Sequence, residues 1–277
     1  MTVAAVVPTF RPKINELLSL VTSLQAAGLP VLITDDGSPA IFDPALRAVA
    51  DLGVTVIRHE RNAGIARGLN EGLGFANDSG ASWLLTVDQD SELPNGYVES
   101  LLPWAISGVG VVAAEHIEDA SGSINYPSRL VDGQVLTEEV IQTGSLWSVA
   151  QMQAVGGFDE SLGIDAVDAA ACLRLREQGL KVVLAPDVSF THHLGNARQV
   201  RIFGKTVLAT GHSAARRTTM VRNRLKLAPA EFRQSPVHAF RTLRRVAVNV
   251  VLAAVVEEDR LAKTKAGLRG LLPGSKR

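Results

Sequence analysis

Two carboxylates two positions apart, Asp88 and Asp90, follow the apolar run Trp83-Leu84-Leu85-Thr86-Val87. At the end of a strand both can reach one hard divalent cation, which takes oxygen ligands and leaves water or phosphate oxygens to complete its shell. An ordinary solvated turn carries the same pattern. Asp165 and Asp168 flank Ala166-Val167 ahead of a helical segment. Asp165 suits a helix N-cap, whereas Asp168 lies about a turn further on, where a carboxylate facing a cleft can act as a general base. His192-His193 follows the strand-like Val188 to Thr191 and offers a third metal ligand or a phosphate contact. Arg222-Asn223-Arg224 carries guanidinium forks suited to phosphate oxygens, or simply forms an exposed helix face. Cys172 sits among Ala and Leu in a helical pattern and reads as core. Trp83, Trp104 and Trp147 read as packing residues, with Trp147, after Thr143-Gly144-Ser145, also a candidate pocket wall.

These residues need elements to place them. Val3 to Val7, Val31 to Thr34, Val54 to Ile57 and Trp83 to Val87 are short continuous apolar runs, as in parallel strands covered on both faces. Between them, Ile14 to Ala27, Pro44 to Leu52 and Ala63 to Ala76 read as helices, the last despite Gly64, Gly68, Gly72 and Gly74. This alternation predicts an α/β fold, a mostly parallel sheet wound by right-handed crossovers and flanked by helices. Ligands in such sheets sit beyond the carboxyl ends of the strands. The polar clusters Pro8-Thr9, Asp35-Asp36, Arg58 to Asn62 and Asp88 to Asp90 all fall there. Further on, Gly110 to Ala114, Ile141 to Val149, Lys181 to Leu184 and Val188 to Thr191 read as strands. Gly96 to Ala105, a short stretch from Met152 and Ala166 to Gln178 read as helices. A polar connector through Gly133 is hairpin or loop. From about Phe203 the pattern becomes helical and basic, which divides the chain into residues 1–202 and a C-terminal extension, 203–277.

Composition bounds the function. Of 277 residues, 46% are hydrophobic, which excludes a disordered chain. The single cysteine excludes an intrachain disulfide and a cysteine-rich metal site, and fits a reducing compartment. Met1-Thr2 leads directly into a strand, so no secretory leader is expected. Val246 to Val256 is the most apolar run; eleven residues long and containing Asn249, it is too short to span a bilayer. The formal charge of zero hides an asymmetry: residues 1–200 hold 11 Lys/Arg and 24 Asp/Glu, a net −13, and residues 201–277 hold 17 and 4, a net +13. A basic tail fits an anionic partner, a solvated helical face or docking on the acidic body.

Taken in order, Val6-Val7-Pro8-Thr9-Phe10, Thr34-Asp35-Asp36-Gly37-Ser38, Asn62-Ala63-Gly64 with Asn70, Val87-Asp88-Gln89-Asp90-Ser91, Thr143-Gly144-Ser145, Gly156-Gly157-Phe158-Asp159-Glu160 and Ile164-Asp165-Ala166-Val167-Asp168 resemble the inverting family 2 glycosyltransferases with the GT-A fold, in the rhamnosyltransferase-like branch. The resemblance covers residues 3–225. It implies a nucleotide-sugar donor over the strand ends, with Pro8, Thr9, Asp35, Asn62, Gly64, Asp88 and Arg222 in contact with it. It also implies Mn²⁺ or Mg²⁺ on Asp88, Asp90 and His192, and Asp168 as the base toward an acceptor hydroxyl. Trp147 and Asp165 fall where the acceptor would bind. Four positions depart from the pattern: Val167 and Ala170 stand where many relatives have Glu, and Thr218-Thr219 where two Tyr often stand. They bear on the acceptor more than on the donor.

Two other readings compete. A sugar-phosphate nucleotidyltransferase shares the architecture, but usually has a glycine-rich basic loop after the first strand, where this chain has Pro8-Thr9-Phe10-Arg11-Pro12. A non-catalytic module docking on a membrane glycan-assembly complex would not need Asp88, Asp90 and Asp168. The sequence therefore leads to a metal-dependent glycosyltransferase acting on a glycan or polyprenyl-linked glycolipid in bacterial surface polysaccharide synthesis. It is expected in the cytoplasm, at the inner face of the cell membrane, with self-association among its expected contacts and nucleic acid not. Phe240 to Val256, apolar on more than one side and led by Arg241, Arg244 and Arg245, is expected to be the helix that meets anionic lipid or the acceptor.

Overall fold

The apolar runs become the strands they predict, and their burial explains why. In the computed structural model, which describes residues 1–119, 122–192, 198–202, 205–209, 212–256 and 259–271, β1 (Val3–Thr9), β2 (Val31–Asp35), β3 (Thr55–Arg58) and β4 (Trp83–Thr86) alternate with α1 (Ile14–Ala26), α2 (Asp43–Ala50) and α3 (Ile65–Asp78). All four strands pair in parallel, in the order β3-β2-β1-β4. β2 and β4 are buried along their whole length and β1 nearly so, because helices cover both faces. α3 lies unusually close to β1. A Cβ on Gly72 would stand 2.6 Å from Val6, and one on Gly68 would stand 2.4 Å from Thr34 Oγ1. The glycines that weaken this helix as a sequence pattern are what let it pack on the sheet.

Beyond β4 the chain adds β5 (Ser91–Glu92), α4 (Tyr97–Leu101), β6 (Val109–Asp119), β7 (Gly122–Asn125), β8 (Ser128–Val131), β9 (Gln134–Thr137), β10 (Ser145–Ser148), α5 (Val149–Ala154), α6 (Val167–Glu177) and β11 (Lys181–His192). The sheet continues β4-β10-β6-β11-β9-β8, with β5 on β11 and β7 on β6. β10 runs antiparallel to β4 and to β6, so the sheet is parallel in its first half and mixed in its second.

Several expected elements change shape. Ile141 to Val149 is not one strand: Gly144 has φ +72° and the Gln142 carbonyl turns to accept from Thr86 Oγ1, so pairing begins only at Ser145. The polar connector before Gly133 is strand, in β7 and β8. Lys181 to Leu184 and Val188 to Thr191 are parts of a single strand, interrupted between Ala185 and Ser189 where Asp187 adopts φ +60°.

Met1–Glu118, Ser123–Gly163 and Val167–His193 form one compact unit. Asp119–Gly122, Ile164–Ala166 and Leu194–Arg277 form a second. The second holds a two-stranded antiparallel sheet, β12 (Arg198–Ile202) and β13 (Lys205–Ala209), then α7 (Ala214–Gln234), α8 (Pro236–Val256) and α9 (Arg260–Gly270). The helical pattern expected from Phe203 thus gives way first to a hairpin, and the 202/203 division falls between its strands. Ser213 caps α7 by accepting from the Arg216 N–H at 3.3 Å, and Pro236 opens α8 at a position where its missing N–H costs nothing. No helix among the described residues is long and apolar enough to cross a membrane.

Candidate active site

Parallel pairing brings four strand ends to one side of the first unit. Thr9 stands opposite Asp35, and Asp35 opposite Arg58, across the β1-β2-β3 register. Asp35 is fully buried, a position a carboxylate holds only when its oxygens are paired. One oxygen accepts from Ser38 Oγ at 2.5 Å and from Thr9 Oγ1 at 3.3 Å. The other accepts from the Ser38 N–H at 3.0 Å and lies 3.5 Å from Arg58 Nε. Pro8, half-buried, stands opposite Thr34 on the same edge.

The neighbouring Asp36 builds the next loop. Its carboxylate accepts from the Ala63 N–H at 2.6 Å and the Gly64 N–H at 3.0 Å. His59 stands beside it, with Nδ1 3.3 Å from Asp36 and Nε2 2.9 Å from both oxygens of Glu71. Gly64 has φ +95°, and a Cβ there would stand 2.7 Å from the Gly163 carbonyl oxygen, so no other residue fits. Asn62, on the same loop, is exposed. Asn70, one of the motif residues, ties α3 to the glycine turn: its Oδ1 accepts from the Phe158 N–H at 2.8 Å and its Nδ2 donates to the Phe158 carbonyl at 3.0 Å.

The acidic pair after β4 meets the far end of β11. β5 pairs with β11 so that Ser91 stands opposite His192. This brings ligand atoms of Asp88, Asp90 and His192 within 4.8 Å of one another. Two carboxylates and an imidazole are a donor set that suits Mg²⁺ or Mn²⁺. His192 is buried; its Nδ1 lies 3.0 Å from Ser91 Oγ, and its Nε2 3.7 Å from Asp88 Oδ2. Asp88 is fixed by Thr143 of the Thr143-Gly144-Ser145 motif, whose Oγ1 accepts from its N–H at 2.8 Å, and by a residue the motif reading did not single out, Gln142, whose Nε2 donates to its carboxylate. Gln89 between the two acids pairs with the backbone of Phe10, at 3.0 and 3.2 Å. Asp90 lines an open cleft of about 340 Å³ together with Glu16, Ser19 and Ser23 of α1 and with Glu92. His193, Leu194 and Gly195 lie outside the described residues.

The remaining candidates divide. Asp168 is the second residue of α6, half-buried, and its Oδ1 accepts from the Ala169 N–H at 2.8 Å. Asp165 belongs to the second unit. Its carboxylate lies 3.2 Å from Arg216 Nε, and its carbonyl accepts from Asn223 Nδ2 at 2.7 Å. Burial raises its pKa, against the opposing pull of Arg216. The Asp165 carboxylate therefore faces an arginine of its own unit. Arg222, expected at the donor, is exposed on α7. Trp147 lies in the interior. It is wholly buried, its ring centroid is 5.1 Å from that of Phe158, and its Nε1 donates to Thr86 Oγ1 at 2.9 Å. It packs against Phe158 in the core. Cys172 is buried and its thiol is pushed up to about 12 by burial, as befits a core residue.

Neither Gln142 nor the His59–Glu71 pair stands out in the sequence. Gln142 is a lone amide beside Thr143, and Glu71 is one acid on a helix; only the fold gives them partners.

The model of the family described as Glycosyl transferase family 2 matches residues 4–145. The chain is 26% identical to the dTDP-rhamnosyl transferase RfbF of Shigella flexneri over 296 aligned positions, covering 98% of this chain and 97% of the relative. Among solved structures, it is similar to GalNAc-T7 with UDP, GalNAc and Mn²⁺ at a TM-score of 0.62 and 14% identity. That match covers 83% of this chain and 48% of GalNAc-T7, so the chain spans about half of that relative. It is also similar to S. aureus TarS 1-349, at a TM-score of 0.61 and 13% identity, over 97% of this chain and 79% of the other. The TarS complex with UDP matches with a TM-score of 0.53 and 14% identity, over 94% and 77%. At these identities the structural matches establish the fold, a GT-A α/β architecture with C-terminal helices.

Proposed function

The chain belongs to glycosyl transferase family 2, and on that premise we propose that it transfers rhamnose, with inversion, from dTDP-rhamnose to a hydroxyl of a glycan or polyprenyl-linked glycolipid in bacterial surface polysaccharide synthesis. The observation that carries the proposal is the convergence of Asp88, Asp90 and His192 beyond the strand ends that also present Thr9 and Asp35. The sugar and nucleotide follow the name of the Shigella relative, which spans nearly the full chain. In this reading the reaction runs in the cytoplasm, at the inner face of the membrane where a lipid-linked acceptor is presented.

Thr9 and Asp35 would hold the nucleoside at the β1-β2 edge, and the Asp36-anchored Asn62-Ala63-Gly64 loop would close beside it. Asp88, Asp90 and His192 would hold Mn²⁺ or Mg²⁺, whose charge offsets that of the departing diphosphate. Asp168 would take the proton of the acceptor hydroxyl as its oxygen bonds to the anomeric carbon. The bond from that carbon to the diphosphate oxygen breaks on the opposite face, and the electron pair leaves with the nucleoside diphosphate. Asn62, Gly64 and Arg222 remain proposed donor contacts.

A thermal-shift series with dTDP, UDP and GDP, each with and without Mn²⁺, tests the donor site. A ligand at 100 times its Kd stabilises the native state by about 2.7 kcal/mol. The expected result is a metal-dependent rise in Tm with dTDP that disappears in Asp90→Ala. A well-folded sample that shifts with none of the three would overturn the proposal.

A further inference from the structure

The outward side of α8 is apolar where an ordinary surface helix is polar. Its other side packs within the second unit: Ala239, Thr242 and Ala253 are buried, and Val250 lies against Gly267 of α9. Val237, Phe240, Arg244, Val248, Val251 and Val255 recur every three or four residues and so share one stripe. That stripe is open to solvent, with Val237 68%, Phe240 67%, Val251 60% and Val255 54% exposed. A contiguous exposed row of this kind marks an interaction surface.

The arginines say which kind. Arg244 lies within the stripe and Arg241 beside it, both exposed, and α8 contains no Asp or Glu. The partner must therefore be apolar and negatively charged together. A second copy of the chain, pairing this face with itself, would bring the arginines of both helices into one interface with no carboxylate of α8 to offset them. A nucleic acid would pair with the arginines and leave Phe240, Val251 and Val255 facing water. An anionic lipid leaflet meets both needs, its headgroups taking the guanidinium groups and its acyl boundary the apolar row.

We propose that this face of α8 is a docking surface for anionic phospholipid, with the helix lying in the plane of the membrane along its length of about 30 Å. The proposal deepens the reading above, since it names the surface that would bring the enzyme to a lipid-linked acceptor, but its test needs neither donor nor turnover.

The full-length chain is sedimented with phosphatidylcholine vesicles and with vesicles that also contain phosphatidylglycerol. Binding is expected only to the second kind and is expected to weaken with salt. Arg241→Gln and Arg244→Gln should each weaken it about fivefold, the worth of one charge at an anionic surface. Val251→Asp should abolish it with Tm unchanged, because the side chain touches solvent in the free protein. Equal sedimentation with both vesicle types, or undiminished binding in Val251→Asp and Phe240→Ser together, would overturn the proposal. So would a dimer in sedimentation equilibrium that Val251→Asp dissociates, without vesicle binding, which would give the face to a second copy. Loss of sugar transfer with vesicle binding retained would count against the proposed reaction and leave this surface standing.

Discussion

His192 Nδ1 lies 3.0 Å from Ser91 Oγ, although 101 residues separate the two. The contact follows from the antiparallel pairing of β5 with the last residues of β11, and it turns the other ring nitrogen toward Asp88. A partner on one imidazole nitrogen fixes what the other can do. If the ring is a metal ligand, Ser91→Ala should weaken apparent Mn²⁺ affinity by about tenfold or more while leaving the fold intact. His192→Ala should weaken it further. Mn²⁺ titration followed by the nucleotide-dependent Tm shift measures both, and unchanged affinity in His192→Ala would remove the ring from the metal site.

Asp168→Asn keeps the size of the side chain and removes its basicity. Transfer should fall by about 10²- to 10⁴-fold, the usual worth of a positioned base. The metal-dependent dTDP shift should persist, because the substitution leaves Asp88, Asp90 and His192 untouched. Steady-state rates with dTDP-rhamnose together with the thermal shift separate loss of the base from loss of the donor site.

Trp147 is buried between Thr86 and Phe158, so its removal acts on stability. Trp147→Ala should cost about 3–5 kcal/mol. Trp147→Phe, which keeps most of the packing and loses the hydrogen bond, should cost less and leave KM for the acceptor unchanged. Chemical denaturation and acceptor titration check the two statements. A raised acceptor KM in a stable Trp147→Phe would return the ring to the substrate.

Asp165 gives a pH dependence of defined sign. Burial raises its folded-state pKa above that of the unfolded chain, with Arg216 opposing. The native state therefore holds the proton more tightly, and the stability this contributes is present at acid pH and lost as pH rises through the raised value. Asp165→Asn should flatten that loss, so the difference in Tm between variant and wild type should grow in the variant's favour above the ordinary carboxylate range of about pH 4 to 5. A Tm series across pH for the two proteins tests the sign. A variant that loses stability only at neutral pH would show that the ion pair with Arg216 outweighs burial.

The sequence by itself determined the first four strands, their parallel order of use and the polar residues at their ends. Continuous apolar runs such as Val3 to Val7 and Trp83 to Thr86 carry that information locally, and chain connectivity places their carboxyl ends together. It also placed Asp88 and Asp90 two positions apart, where a shared cation needs no tertiary help. What the tertiary structure decided is every relationship that spans many residues. Ser91 meets His192, Gln142 meets Asp88, and His59 meets Glu71 only through strand pairing and helix packing. Local pattern gave the helix over Gly68 and Gly72 but not their use, which is the close approach to Thr34 of β2 and Val6 of β1, and it misjudged residues 205–209, which read as the start of a helix and pair as a strand. The fold also decided that the Trp147 ring lies among core residues and that the Asp165 carboxylate lies against Arg216, because no sequence pattern records which way a side chain is turned.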